Sequence, residues 1–140
     1  MSDRSHRFAI RVYYEDTDAG GIVYHSNYLK FAERASTEWL RTFGIQQRRW
    51  REETGLGFAV TRCEIDYRRP ARLDDMLDVD TRVLEVTGAS VVAEQVIRRE
   101  DEELARLKLV VACIDKDGRP TRLPKNLRSA MVGAPEGVND

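Results

Sequence analysis

The chain has 140 residues, of which 41% are apolar and 34% are charged, and its formal net charge is −1. This length predicts one domain with a hydrophobic core. The net charge near zero does not indicate binding to nucleic acid or to an anionic membrane. The first ten residues lack the apolar stretch of a signal sequence, and no run approaches the ~20 apolar residues of an integral membrane segment.

The first predicted elements are a strand, a polar loop and a helix. Apolar residues alternate over 8–14, which predicts a strand. After the loop, apolar residues recur at three- and four-residue spacing over 28–43, which predicts an amphipathic helix. Ser26 or Asn27 can cap the start of this helix, and Gly44 can end it.

The second half of the chain has the period of strands. After a polar second helix at 46–53, alternation predicts strands at 59–67, 77–83, 90–99 and 104–114, with a short helix at 124–131. This order predicts an α+β fold in which an antiparallel five-stranded sheet is wrapped around one long central helix. No repeat or linker divides the chain. We therefore expect a single domain over residues 1–132 and a flexible tail over 133–140.

Two cysteines indicate the compartment. Cys63 and Cys113 each lie in an apolar strand-like run, without C-x-x-C or Cys/His spacing. Such residues are typical of buried free thiols in a reducing compartment, although one disulfide stays open as the alternative. The expected localisation is cytoplasmic.

Consecutive apolar residues in two predicted strands bear on assembly. The runs 91–93 and 109–112 lose the alternation of a half-exposed strand, which indicates burial of both faces. One helix covers only one face, so another copy of the chain is the simplest cover for the second. We expect a homo-oligomer, at least a dimer, and favour a homotetramer.

Two acids and two glycines directly precede the long helix. Asp16 and Asp18 follow a strand, as acids do in some metal and phosphotransfer sites. No phosphate-binding Ser or Thr and no recognised ligand spacing accompanies them, so no metal is expected. Gly20-Gly21 is not a dinucleotide-binding motif, and no G-x-S-x-G nucleophile motif is present.

A carboxylate just before a helix start has a chemical use. The unpaired N–H groups and the positive end of the helix dipole can hold an oxyanion, and glycines let the backbone approach a ligand. A nearby carboxylate can then attack the polarised carbonyl or activate a water against it. This arrangement suits acyl transfer to water. The alternative is that Asp18 only binds loop amides.

The segment RVYYEDTDAGGIVYHSNYLKFAERASTEWLR resembles the signature of hotdog-fold acyl-CoA thioesterases of the 4-hydroxybenzoyl-CoA thioesterase type. Within that family it is most similar to the Tol–Pal-associated acyl-CoA thioesterase group. RRPARLDDML, GASVV, VVACID and RLPK extend the resemblance over residues 7–125, in the order that the family has.

The resemblance implies the hotdog fold, with active sites between two subunits. It implies a thioester hydrolase that converts acyl-CoA to free acid and CoA, with no cofactor beyond the CoA of the substrate. Asp18 would be the nucleophile or general base, and the amide near His25 would polarise the thioester carbonyl. Tyr14 and His25 match family positions close to the site, and we expect them to be catalytic with Asp18. We also expect substrate-binding residues at Gly20, Gly21, Tyr24, Phe58 and Val60.

Several alternatives stay open. Tyr14 can be only a packing residue, and His25 can contribute only its backbone to the helix start. An acyl carrier protein can replace CoA as the acyl donor, and the acyl chain is not specified. A dehydratase would carry His-Phe-Pro-Gly, whereas His25 is followed by Ser-Asn-Tyr. A non-catalytic acyl-binding or envelope-assembly protein would not need Asp18. We expect Asp18, rather than Asp16 or Glu15, to perform the chemistry.

Overall fold

The computed structural model describes residues 5–136. The strands are β1 (His6–Arg11), β2 (Gly57–Tyr67), β3 (Met76–Val86), β4 (Ser90–Arg99) and β5 (Glu102–Ile114), and the α-helices are α1 (Asn27–Arg41), α2 (Gln47–Thr54) and α3 (Lys125–Glu136). The strands form one antiparallel sheet in the order β1-β3-β4-β5-β2. The predicted α+β fold, a five-stranded antiparallel sheet around a long helix, is confirmed.

The inner face of the sheet packs on α1. Phe31 and Ala35 on the helix are fully buried, as are Leu77 and Val79 on β3. A second cluster lies near the C-terminal end of α1, where α3 also packs, and its members include Trp39, Val83, Val91, Leu127 and Met131. Because α1 is covered along its whole apolar stripe, its start is held firmly against the sheet.

The ends of the chain differ in part from expectation. α3 extends to Glu136, so it includes residues that the sequence assigns to the tail. The rest of the predicted tail, residues 137–140, lies outside the described residues. No helix within residues 5–136 is both long enough and apolar enough to cross a bilayer.

The prediction of two buried thiols is correct for Cys113 and wrong for Cys63. Both cysteines are free, and Cys63 is exposed. The reason is the position of β2, which forms one edge of the sheet, beside β5 only. Most of β2 is exposed on both faces in the single chain. Apolar alternation in this strand therefore does not indicate burial within one subunit.

The outer face of the sheet combines apolar and charged side chains. Val96 is buried there, and Val92 and Val110 are half-buried. Beside them runs a chain of ion pairs in which Glu94 contacts Arg82 at 3.0 Å and Arg106 at 2.8 Å. Long arginine side chains thus cover part of the apolar surface that the sequence assigned to a second copy.

The connection from β2 to β3 packs against the segment that leads into α1. The Val23 amide donates to the carbonyl of Ala71 at 2.8 Å, and the Ala71 amide donates to the Tyr28 hydroxyl at 3.0 Å. Arg99 holds this connection from the other side through the carboxylate of Asp75, at 2.7 Å. The connection therefore links β4 to the start of α1 through these hydrogen bonds and this ion pair.

We expect Asp75→Asn to lower the free energy of unfolding by ~1–2 kcal/mol, because it removes a charge-assisted bond to Arg99. Burial alone would raise the pKa of Asp75, but hydrogen bonds from the Arg72 amide and Arg99, with the charges of both, leave it below the usual 3.8. A lowered pKa means that the charged form stabilises the fold above that value, and that the contribution disappears as the pH falls below it.

Urea denaturation of wild type and Asp75→Asn at pH 7 and pH 3 measures this contribution. The difference between the two proteins should shrink at pH 3. Asp74→Asn is the matched control, because the described residues offer its side chain no recorded hydrogen bond. Equal destabilisation by the two substitutions would contradict the role of Asp75.

Candidate active site

Asp16 organises the approach to α1. The predicted first strand ends at Arg11 rather than at Tyr14, because a 3-10 turn spans Tyr14–Asp16. One carboxylate oxygen of Asp16 accepts from the Tyr13 amide at 2.8 Å, and the other accepts from Nδ2 of Asn27 at 3.0 Å. Asp16 is only 4% exposed. Both of its oxygens are used, so Asp16 has a structural position.

Asp18 lies at the tip of a short ribbon that follows this turn. Thr17 pairs with Val23, and the Asp18 amide donates to the carbonyl of Ile22 at 2.8 Å. Its Oδ1 accepts from the Gly20 amide at 2.8 Å and lies 3.4 Å from the Ile22 amide. The loop-amide interpretation therefore holds for Oδ1. Oδ2 has no recorded partner within residues 5–136, and the side chain is exposed. The loop orients the carboxylate and leaves one oxygen available.

The paired glycines support this orientation. Gly21 has a φ of +84°, which side chains with a Cβ rarely adopt, and a Cβ on Gly20 would lie 3.3 Å from Oδ1 of Asp18. Gly20 thus allows the carboxylate to stay close to the backbone, and Gly21 allows the turn that closes the ribbon.

We expect Gly20→Val and Gly21→Val to lower thioester hydrolysis at least tenfold with a smaller effect on folding, because each displaces Asp18 on an exposed loop. Steady-state kinetics and thermal unfolding of both variants measure the two effects. Gly118→Val is a control for strain alone, since Gly118 also has a positive φ, +80°, in the turn after β5. Unchanged turnover in both loop variants would show an ordinary flexible loop.

The start of α1 lacks the predicted serine cap. Ser26 occupies the N-cap position, but its side chain makes no capping hydrogen bond. Asn27, the other predicted cap, is the first helical residue and binds Asp16 instead. Within residues 5–136 no acceptor is recorded for the backbone N–H groups of His25 and Ser26. These donors lie at the positive end of the helix and are available to an anionic oxygen.

The structure brings His25 and Tyr24 together but leaves Tyr14 apart. The His25 ring is exposed and lies 4.5 Å from the Tyr24 ring, centroid to centroid. Tyr14 is 82% exposed and begins the 3-10 turn, where its carbonyl accepts from the amide and the hydroxyl of Thr17. A role for the Tyr14 side chain stays a prediction.

An apolar cavity of about 280 Å³ opens beside His25. Tyr28 and Tyr67 form its aromatic wall, and Arg68 and Arg69 lie at its border. The Tyr67 hydroxyl donates to the carbonyl oxygen of His25 at 2.8 Å. Tyr67 was not among the residues predicted for the site. The available signal was an aromatic residue at the end of an apolar strand, immediately before two arginines.

Phe58 and Val60 lie away from Asp18 within one chain. They are at the beginning of β2, whereas the cavity contacts Tyr67 at the end of the same 11-residue strand. The Phe58 ring stacks on Trp50, with ring centroids 5.0 Å apart, and Val60 is 52% exposed. A single subunit does not bring these two residues to the carboxylate.

A protein-family comparison relates the chain to known proteins. Residues 12–131 match the model of the thioesterase-like superfamily. The acyl-CoA thioesterase YbgC of Haemophilus influenzae is 47% identical over 132 residues, which cover 94% of this chain and 97% of that protein. The acyl-CoA thioester hydrolase YbgC of Escherichia coli O6:H1 is 40% identical over 129 residues, which cover 91% and 96%.

Solved structures show the same architecture. A probable thioesterase from Bartonella henselae superposes with a TM-score of 0.82 at 39% identity, covering 86% of this chain and 99% of that one. A 1,4-dihydroxy-2-naphthoyl-CoA thioesterase from Synechocystis superposes with a TM-score of 0.83 at 21% identity, covering 91% and 96%. At that lower identity the likeness concerns the fold alone.

Proposed function

Because this chain belongs to the thioesterase-like superfamily, we propose that it is an acyl-CoA thioesterase, which hydrolyses an acyl-CoA to the free acid and CoA. Relatives at 47% and 40% identity carry this activity in their names, and they match nearly the whole chain. The observation that carries the proposal is the oriented, accessible carboxylate of Asp18 on the ribbon that leads to α1, where no acceptor is recorded within residues 5–136 for the N–H groups of His25 and Ser26.

Because of the ribbon, one segment of the chain supplies both the carboxylate and the backbone N–H donors. Asp18 is at its tip, and the chain returns through Val23 to His25 and the helix start. The N–H groups of His25 and Ser26 would donate to the carbonyl oxygen of the thioester, so that negative charge can develop there. We propose that this mechanism needs no cofactor or metal, since backbone donors would stabilise the developing charge.

Two routes use the Asp18 carboxylate. As a nucleophile, its oxygen adds to the thioester carbon, the C–S bond breaks to release CoA as thiolate, and water hydrolyses the mixed anhydride. As a general base, it takes a proton from a water whose oxygen adds to the same carbon; the C–S bond then breaks, and the departing CoA thiolate takes the proton back from Asp18. In both routes the exposed His25 ring would position water or the departing thiolate.

We propose that the active site is completed by a second copy of the chain. β2 is a long exposed edge strand, which is a ready template for pairing with another chain. Antiparallel pairing of two β2 strands places the start of one beside the end of the other. Phe58 and Val60 of a second copy would then lie beside Tyr67 of the first, and all the predicted substrate-binding residues would meet.

A dimer is therefore the smallest active assembly that we propose. The apolar part of the outer sheet face favours a tetramer of two such dimers.

We also propose a cytoplasmic localisation, which is supported by the two free cysteines. An acyl carrier protein stays a second possible acyl donor.

A panel of thioesters tests the proposed activity. Purified protein should release free thiol from at least one of acetyl-, isobutyryl-, octanoyl-, palmitoyl- and 4-hydroxybenzoyl-CoA, and heat-denatured protein should not. The same acyl groups on acyl carrier protein separate the two classes of donor. Tight binding of an acyl-CoA without any thiol release would contradict hydrolysis and favour a non-catalytic acyl-binding protein.

A further inference from the structure

Tyr67 holds one of the two peptide groups that lead into α1. Its hydroxyl donates a 2.8 Å hydrogen bond to the carbonyl oxygen of His25. That carbonyl belongs to the same peptide unit as the N–H of Ser26. A peptide unit is planar and trans, so its N–H points away from its C=O. The Tyr67 hydroxyl therefore fixes the direction of the Ser26 N–H.

The neighbouring peptide unit is held in another way. The carbonyl of Tyr24 accepts from the Asn27 amide at 2.8 Å, and this turn directs the His25 N–H. The helix begins only at Asn27, so its backbone ladder does not reach the His25 carbonyl. Of the two available N–H groups, only that of Ser26 depends on a side chain from the sheet.

The Tyr67 ring is itself fixed by aromatic contacts. It meets the buried Tyr28 ring edge-on at 5.4 Å and the His25 ring at 6.4 Å. Partial burial, and to a lesser extent the neighbouring Cys63, raise the pKa of Tyr67. The hydroxyl thus stays protonated, and it remains a donor at neutral and mildly alkaline pH.

We propose that Tyr67 is a positioning residue that aims the Ser26 N–H at the oxyanion formed during thioester hydrolysis. This inference rests on the proposed thioesterase function. A donor on the carbonyl side also polarises the peptide, so the N–H on the opposite side becomes a stronger donor. Negative charge on the thioester carbonyl oxygen is absent in the bound substrate and develops in the transition state. The contribution of Tyr67 therefore belongs to kcat rather than to KM.

Tyr67→Phe removes the hydroxyl and keeps the ring contacts. We expect kcat on the best acyl-CoA of the panel to fall about tenfold, with KM within about twofold and an almost unchanged Tm, since one neutral hydrogen bond is lost. Two ligands that are not hydrolysed give a second readout. A difluoroketone analogue, with CF2 between sulfur and carbonyl, adds water to become tetrahedral like the transition state, and it should bind several-fold more weakly. The thioether analogue, which has no carbonyl, should bind as it does to wild type.

Two variants serve as references. Tyr13→Phe is the matched control, because Tyr13 is 61% exposed and does not line the cavity, and it should behave as wild type. Tyr28→Phe breaks the bond to the Ala71 amide, so it should lower Tm and weaken both analogues alike. A Tyr67→Phe protein with wild-type kcat, or with equal losses for both analogues, would overturn the inference. A wild-type protein that hydrolyses no thioester of the panel would overturn the proposed function itself.

Discussion

Asp18→Asn is expected to lower acyl-CoA hydrolysis by ~10²–10⁴-fold while acyl-CoA still binds. The carbonyl oxygen of Asn can still accept from the Gly20 amide, so the ribbon keeps its shape. Only the charge is lost, and both the attack on a thioester carbon and the activation of water require it. Steady-state thiol release and calorimetric titration with the thioether analogue measure hydrolysis and binding separately.

The choice of control follows from the structure. Glu15→Gln changes an exposed carboxylate three residues away, and it should keep nearly all activity. Asp16→Asn is less suitable, because its buried carboxylate binds Tyr13 and Asn27, and a loss of activity there would have a structural cause. If Asp18→Asn and Glu15→Gln behave alike, Asp18 is a loop residue. Loss of binding together with hydrolysis would favour the non-catalytic acyl-binding function.

Cys63→Asp is expected to break the proposed β2–β2 dimer and to abolish hydrolysis. Cys63 is exposed near the middle of β2, so an antiparallel β2 pair brings its two copies close to the two-fold axis. Partial burial and the charge of Glu64 raise the pKa of the Cys63 thiol, so the native side chain is neutral. Two buried, unpaired carboxylates would cost ~3–5 kcal/mol or more, at least a hundredfold in the dissociation constant.

Sedimentation velocity at micromolar concentration measures this effect. The wild type should sediment at no less than twice the 16.1 kDa of one chain. Cys63→Ser is the control, because it changes the same atom without a charge, and it should remain oligomeric and active. A wild-type protein that stays monomeric would refute the shared site, and a Cys63→Asp protein with the same mass in solution as the wild type would show that β2 does not form the interface.

Local sequence patterns predicted those elements in which the buried residues recur at the spacing of a strand or of a helix. β4 has the predicted bounds, and α1 and β5 differ by only a few residues, because alternating or helical apolar residues meet a single core. The end of β1 could not be predicted in the same way. It depends on the bond between Asp16 and Asn27, which are 11 residues apart and belong to different elements. Apolar periodicity carries no information about such a bond.

In the candidate site, too, local sequence predicted some residues, whereas residues with distant partners could not be predicted. Asp18, Gly20 and Gly21 could be predicted because one local segment carries both their chemistry and the family resemblance, and in the structure they share one short ribbon. Tyr67 was missed because its partner, the carbonyl of His25, is 42 residues away in the chain. Phe58 and Val60 illustrate a third case. Their expected meeting with Asp18 requires a second subunit, which the pattern of a single chain does not position.

The order of strands also determines when the site forms during folding. β3, β4 and β5 pair with their neighbours in sequence and can close early as hairpins. β1 instead pairs with β3 across most of the chain, His6 with Thr81, and the ribbon of Asp18 is held by Ala71. Closing so long a loop carries the largest entropic cost and comes late. We therefore expect the carboxylate to be placed last, and we expect local opening of this edge to inactivate the enzyme while the three central hairpin strands stay folded.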